Sequence, residues 1–228
     1  MKNATWKRWF RPVLDLCFNS NCLLCQRSTA QEVCLDCERQ LQQCRWTDLQ
    51  PLAEGWPVLA WGRYDGALRR AIATLKYNNT PQLARPLGRW LGQCWQTYAA
   101  SVALPALTVV PIPMHPEKQK SRGFNQAELI AEAFCQHTQL PLEREGLLRV
   151  RATEAQFGLS AGARADNLAN AFAVGEVLLN RRSPKSILLV DDIYTTGATA
   201  HSAAQTLRRA GIRVYGMAVV ARTMRQEG

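Results

Sequence analysis

The 228-residue sequence lacks any apolar stretch approaching the ~18 residues that a membrane-spanning helix needs. Its opening, "MKNATWKRWFRPVLDLCF", also lacks the apolar core and small-residue cleavage site of a secretory signal peptide. There is no internal repeat and no low-complexity tract. We therefore expect a cytoplasmic protein without membrane insertion. In that compartment its eight cysteines are expected to be thiols or metal ligands rather than disulfides.

Acidic residues are too few to balance the basic ones. The chain carries 28 Lys and Arg against 18 Asp and Glu, a net charge of +10. Residues 1–54 hold seven basic and six acidic residues, which leaves a net of +9 in residues 55–228. This excess suits anionic partners such as phosphates or nucleic acid. Solubility alone is the alternative explanation.

The first 54 residues also have little hydrophobic periodicity. Residues 17–44 show no sustained apolar pattern, so burial alone cannot hold them together. The stretch "TDLQPLAEGWP" then predicts a connector. Beyond it, apolar runs alternate with helical patterns, which predicts an α/β domain with a parallel sheet and helices on its faces. We expect a small module with its connector in 1–54 and the α/β domain in 55–228.

Two CxxC pairs could hold this module together by binding a metal ion. Cys22, Cys25, Cys34 and Cys37 can surround one ion as four thiolates, and Zn²⁺ favours this tetrahedral set. A structural zinc contributes on the order of 10 kcal/mol or more to folding. A redox CxxC usually lies in a βαβ context, which is missing here. The flanking Cys17 and Cys44 are alternative ligands. We expect the module to serve packing or partner docking.

The segment "SILLVDDIYTTGAT" carries the clearest site signal. Its continuous aliphatic run is typical of a central parallel strand, and a helical pattern ending at Gly211 follows. We place "DDIYTTGAT" in the turn between them, where α/β sheets bind ligands. Backbone amides and hydroxyls of the loop suit a phosphate, and the two acidic side chains suit sugar hydroxyls or a divalent cation. The residues are Asp191, Asp192, Thr195, Thr196, Gly197, Ala198 and Thr199. The alternative is a strand end and a helix N-terminus with no ligand.

Further basic residues could neutralise a pyrophosphate. The loop after "LTVVPIPM" holds Arg122, whose forked donors suit phosphate oxygens. The segment "RVRATEAQFGLSAGARADNLANAF" has Arg151 and Arg164 among small residues, which suits a mobile flap or an ordinary surface loop. Lys76 is another candidate, although a lysine near a helix C-terminus also has a dipole explanation.

These elements resemble known families. "DDIYTTGAT" resembles the phosphoribosyl-pyrophosphate (PRPP) signature of type I phosphoribosyltransferases. The order of the four-cysteine module, "RGFNQ" and "DDIYTTGAT" resembles the competence protein F (ComF) family. The resemblance implies a type I phosphoribosyltransferase-like fold with an N-terminal zinc finger. It also implies that Asp191 and Asp192 meet ribose hydroxyls, that residues 195–199 hold the 5′-phosphate, and that Arg122 meets the pyrophosphate.

Three functions follow from this resemblance. The first, which we favour, is a protein that binds PRPP or a related ribose phosphate with Mg²⁺ and handles imported single-stranded DNA during natural transformation, together with DNA-uptake or DNA-processing proteins. The second is an active phosphoribosyltransferase, amidophosphoribosyltransferase-like, that releases pyrophosphate to a nitrogen acceptor. The sequence singles out no one residue as a general base and shows no obvious segment for recognising a nucleobase. The third is an adaptor whose sugar-phosphate site no longer binds.

Overall fold

The computed structural model describes residues 20–46, 56–151, 171–179 and 186–224. The helices are α1 (Leu35–Gln42), α2 (Gly66–Tyr77), α3 (Ala84–Ala99), α4 (Pro116–Arg122), α5 (Gln126–Thr138), α6 (Glu176–Leu179) and α7 (Ala198–Arg209). The strands are β1 (Ser20–Asn21), β2 (Ser28–Thr29), β3 (Val58–Arg63), β4 (Leu107–Pro111), β5 (Leu147–Arg149), β6 (Phe172–Val174), β7 (Ser186–Tyr194) and β8 (Val214–Arg222). A 3₁₀ turn, Pro81–Leu83, precedes α3.

Four parallel strands form the central sheet in the order β3-β8-β7-β4. Along β7, Ile187 and Leu189 pack into the hydrophobic cluster on one face, while Leu188 and Val190 pack into the cluster on the other. All four side chains are fully buried. A strand covered on both faces needs a continuous aliphatic run rather than alternation, which is why "SILLV" predicted this strand correctly.

Helices cover both faces of the sheet. On one face α3 and α5 pack closely against each other, and a Cβ at Gly88 would lie 2.5 Å from the Ile130 carbonyl oxygen. On the other face lie α7 and the β5–β6 hairpin, with Leu207 and Phe172 in the shared cluster. The predicted α/β class, a parallel sheet with flanking helices plus a small cysteine module, is confirmed.

Three local expectations need correction. β7 runs on through Tyr194, so the two aspartates belong to the strand, where Asp191 pairs with Val219 of β8, and not to the turn. The apolar runs "GLLRV" and "AFAVG", which the alternation assigned to the parallel sheet, instead contain β5 and β6, and these two strands pair with each other antiparallel. The basic segment after β4 is helix α4, because Pro116 fits the first turn and the His115 ring accepts the Glu117 N–H.

The cysteine module packs directly on the α/β domain. The Arg63 N–H donates to the Cys44 carbonyl oxygen at 2.8 Å, and the Trp46 N–H donates to the Trp61 carbonyl oxygen at 3.0 Å. Arg85 of α3 forms a 2.7 Å ion pair with Glu32. The proposed boundary between residues 54 and 55 lies outside the described residues, so it stays a prediction.

Candidate functional site

The carboxyl end of β7 brings the two aspartates to the edge of the sheet. Asp192 is buried at 3% exposure, whereas Asp191 is half-buried. The Asp192 N–H donates to the Asp191 Oδ1 at 2.8 Å, which fixes the orientation of the Asp191 carboxyl. Both carboxyl groups therefore belong to the end of the strand, where α/β sheets bind ligands, and Asp191 is the more accessible of the two.

Lys76 reaches this pair from another element. Helix α2 starts just after β3, and its 12 residues span about 18 Å. The two strand spacings from β3 to β7 amount to only about 10 Å. Its last turn thus brings the Lys76 Nζ to 2.7 Å from the Asp192 Oδ2. Among the described residues, that oxygen has no other partner within hydrogen-bond geometry.

Asp191 is held in an environment that disfavours its charge. Burial raises the pKa of Asp191 well above its usual range, and the neighbouring Asp192 carboxylate raises it further. The Asp192 N–H and the Lys76 ammonium oppose this rise. A hydroxyl that donates to Asp191, or a cation beside it, would favour the charged form. The pair is therefore suited to a ligand that brings donors or positive charge.

The loop after β7 forms the start of helix α7. Thr195, Thr196 and Ala198 are exposed and Thr199 is half-buried, so their backbone groups lie at the surface. Gly197 caps the helix with φ +78°, a conformation that favours glycine. A Cβ at Gly197 would lie 2.2 Å from the Tyr194 hydroxyl oxygen. The loop can therefore keep this conformation only with glycine at this position.

The other predicted basic residues lie at different places. Arg122 is half-buried at the end of α4, and its guanidinium contacts the side-chain oxygen of Gln126. Lys118 and Lys120, on the same helix, are exposed. Arg151 is exposed, beyond the end of β5. Arg164 and the rest of the predicted flap up to residue 170 lie outside the described residues.

Sequence reasoning assigned Arg149 only to a flap and did not link it to the aspartates. It ends β5, is half-buried, and has its guanidinium carbon 5.5 Å from the Phe172 ring centroid. Burial lowers the pKa of Arg149, while the negative charge of Asp191 opposes that shift. A cation thus lies within electrostatic range of the acidic pair. No motif in the sequence predicts that Arg149 lies near the acidic pair.

A second arginine group at the sheet edge was also missed. Arg63 ends β3 and Arg222 ends β8, and their guanidinium carbons lie 5.8 Å and 4.7 Å from the Trp46 ring centroid. The next residue, Thr223, donates through its N–H to the Tyr194 carbonyl oxygen at 3.1 Å. Positive charge therefore lies along the ends of β8 and β3, next to the end of β7.

The four predicted cysteine ligands meet at one point. The sulfurs of Cys22, Cys25, Cys34 and Cys37 all lie within 4.8 Å of one another, and those of Cys25 and Cys34 are 3.6 Å apart. Four sulfurs bound to zinc at 2.3 Å in a tetrahedron are about 3.8 Å apart, so the cluster fits such an ion. The module can hold a metal such as zinc.

The surroundings of the cluster shift the pKa values of its thiols in both directions. The side chain of Arg27 donates to the Cys25 Sγ at 3.4 Å, and this contact lowers the pKa of Cys25 to about 6. Burial and the neighbouring cysteines raise the pKa of Cys37. A divalent ion would reverse that rise, because a metal-bound thiol loses its proton.

The remaining cysteines are not part of the cluster. The Cys44 thiol faces the Gln40 and Asp65 carbonyl oxygens at 3.7 Å and 3.5 Å, so it does not replace a ligand. Cys94 and Cys135 are buried, as expected of small core residues, and burial raises their pKa values to about 11 and about 12. Cys17 lies outside the described residues.

Each helix within the described ranges is too short or too polar to traverse a lipid bilayer.

No family model matches the sequence. Curated proteins do match over most of their length. Competence protein F of Haemophilus influenzae is 28% identical over 225 residues, covering 88% of this chain and 97% of that protein. Competence protein ComFC of Bacillus subtilis is 26% identical over 226 residues, covering 92% and 85%. The DNA utilization protein YhgH of Escherichia coli K12 is 30% identical over 193 residues, covering 83% and 79%.

Solved structures show a weaker likeness. The allosteric regulatory enzyme of purine biosynthesis superposes with a TM-score of 0.38 at 20% identity, covering 60% of this chain and only 26% of that enzyme. Adenine phosphoribosyltransferase from Leishmania tarentolae also gives a TM-score of 0.38, at 14% identity, covering 79% and 70%. At these scores neither likeness establishes an activity or a substrate.

Proposed function

Because this chain belongs to the competence protein F (ComF) family, we propose that it binds PRPP or a related ribose phosphate at the carboxyl edge of its sheet and handles imported single-stranded DNA in the cytoplasm. One observation carries the proposal. The end of β7 holds a carboxyl pair beside a glycine-capped loop, with a half-buried lysine on Asp192. This arrangement matches a ligand that has hydroxyls next to a phosphate.

Each end of the ligand has a matching partner. Ribose hydroxyls would donate to Asp191 and Asp192, and the 5′-phosphate would accept N–H groups from residues 195–199 at the start of α7. The pyrophosphate would meet Arg122, with Lys76 and Arg151 as further cations and Arg164 as a flap candidate.

Mg²⁺ would enter with the pyrophosphate. Asp191 is the natural oxygen ligand for it, directly or through water, because Asp192 is already paired with Lys76. The ion would neutralise phosphate charge that Arg122 alone leaves uncompensated. In the cysteine module, Cys22, Cys25, Cys34 and Cys37 would hold Zn²⁺ as a purely structural ion.

Single-stranded DNA suits the charge of the α/β domain. Residues 55–228 carry a net charge of +9, and the sheet edge presents Arg63, Arg222 and α4 with its exposed lysines. Phosphates of a strand would bind such a surface with strong salt dependence. DNA-uptake or DNA-processing proteins are the partners we propose, as the names of the relatives suggest.

Two measurements test this function. PRPP with Mg²⁺ should raise the melting temperature, because a ligand at 100 times its dissociation constant adds about 2.7 kcal/mol to the free energy of unfolding. Fluorescence anisotropy with a single-stranded oligodeoxynucleotide should show affinity falling steeply between 50 and 200 mM salt, as is typical of phosphate contacts. A melting temperature unmoved by PRPP, or DNA binding independent of salt, would contradict the corresponding half of the proposal.

A further inference from the structure

Tyr77, the last residue of α2, is unusually exposed for an aromatic side chain of this protein. Its exposed fraction is 75%, while every other Phe, Trp and Tyr side chain in the described ranges is buried or half-buried. Exposure of one apolar residue is common and means little by itself. The exposure of this ring matters because of its position in the fold.

Tyr77 is fixed beside the carboxyl pair. The residue before it, Lys76, has its ammonium 2.7 Å from the Asp192 carboxylate, and Leu75 is fully buried in the core. These two anchors hold the end of α2 at the carboxyl edge of the sheet. Tyr77, the next residue, is therefore carried by the same helix end beside the proposed ribose site.

One side of the ring is already occupied by a cation. The Arg122 guanidinium carbon lies 5.6 Å from the Tyr77 ring centroid, within the range of a cation–π contact. Arg122 is itself held by Gln126, a buried residue in the first turn of α5. The ring thus has a supported side, and its large exposed fraction leaves the remainder open to a ligand.

We propose that Tyr77, backed by Arg122, is a stacking platform for a nucleobase at the rim of the ribose-phosphate site. This inference rests on the proposed function and names the chemistry that the site takes beyond the sugar. A flat, exposed aromatic ring stacks on any base, and an arginine on its other side strengthens the contact. Asn78 and Asn79 follow directly and are exposed, so their amides can donate to and accept from base edges.

The base can come from two sources. It can be attached to the ribose in the crevice, as in a mononucleotide, or it can belong to a neighbouring nucleotide of a single strand that crosses the sheet edge. Both sources present the same ring to Tyr77. The experiment therefore has one arm for each source, and each arm pairs a ligand with a base-free counterpart.

The mononucleotide arm compares adenosine 5′-monophosphate with ribose 5-phosphate by calorimetry. Tyr77→Ala should weaken the mononucleotide about 10-fold, the scale of one base–aromatic stack. Ribose 5-phosphate should keep its affinity within about twofold. Tyr77→Phe should retain the wild-type preference, because stacking needs the ring and not the hydroxyl. Val102→Ala, which trims an exposed apolar side chain in the loop before β4, is the control.

The strand arm compares a short oligodeoxythymidylate with an abasic chain of the same length by fluorescence anisotropy. Tyr77→Ala should weaken the oligodeoxythymidylate about 10-fold and leave the abasic chain within about twofold. A base-dependent loss in either arm supports the platform and identifies its source.

Three results would overturn the platform. In the first, Tyr77→Ala changes neither arm. In the second, each base-containing ligand and its base-free counterpart weaken equally, which would make Tyr77 a support for the Lys76–Asp192 pair. In the third, Tyr77→Phe behaves like Tyr77→Ala. If wild type binds neither PRPP nor ribose 5-phosphate, the ribose-phosphate site is what fails, and the strand arm still decides the role of Tyr77.

Discussion

Removing the Lys76 ammonium should leave the buried Asp192 carboxylate without its ion-pair partner. Lys76→Met keeps an apolar stem of similar length but leaves the Asp192 Oδ2 without the cation that lies 2.7 Å away. The Asp192 side chain is only 5% exposed and the Lys76 side chain 17% exposed, so water can replace little of the lost contact. We therefore expect a substantial loss of stability.

The size of that loss follows from the burial. Breaking a buried ion pair by deleting one partner costs about 3–5 kcal/mol. The partial exposure of Lys76 puts the expected cost near the lower end, about 3 kcal/mol. For a chain of this length that is a fall in melting temperature of about 6–12 °C. Lys76→Met with Asp192→Asn removes both charges and should recover about 2 kcal/mol of the loss.

Urea unfolding at pH 7, followed by tryptophan fluorescence, measures these differences. The matched control is Arg144→Met, which removes a cation from a pair of exposed ion contacts with Glu128 and Glu132 and should cost about 1 kcal/mol or less. The reasoning is refuted if Lys76→Met costs no more than Arg144→Met. It is equally refuted if the double variant is no more stable than Lys76→Met alone.

Three other predictions concern the strand end and the module. The pKa of Asp191 is higher in the folded state than in the unfolded state, so its ionised carboxyl destabilises the fold above the unfolded-state pKa. Asp191→Asn should therefore add about 1 kcal/mol to the free energy of unfolding at pH 7, and this gain should fade towards pH 4. Urea unfolding at both pH values checks it. Gly197→Ala should lower the free energy of unfolding more than Gly211→Ala in the same assay. The two glycines have nearly the same φ, +78° and +77°, but of the two only Gly197 would place a Cβ within 4 Å of another protein atom. Equal losses would contradict this. Cys37→Ser should lower zinc content from one ion per chain, measured by atomic emission; unchanged zinc would argue against the site.

The sequence predicted the buried part of β7 well because its signal is local, although it ended the strand too early, before the two aspartates. A buried parallel strand requires the continuous aliphatic run of "SILLV", and the loop needs glycine where φ is positive. The CxxC spacing likewise predicts a four-cysteine cluster from a short stretch of sequence, residues 22–37. These features depend on neighbouring residues and not on how distant segments pack.

The missed features are tertiary. The contact of Lys76 with Asp192 joins residues far apart in sequence, and it depends on α2 crossing the sheet edge. The proximity of Arg149 to Asp191 depends on the β5–β6 hairpin folding over the same face. Strand β3 escaped notice because its short apolar run is interrupted by Gly62. Periodicity reports burial within one element and carries no information on which elements meet.

Calorimetric titration with PRPP and Mg²⁺ tests the ribose-phosphate site most directly. Wild type should bind one PRPP per chain with a measurable heat, and Asp191→Asn with Asp192→Asn should lose that binding while remaining folded. Wild type that gives no heat of binding, or a double variant that binds as tightly as wild type, would contradict the assignment of this strand end to a sugar phosphate.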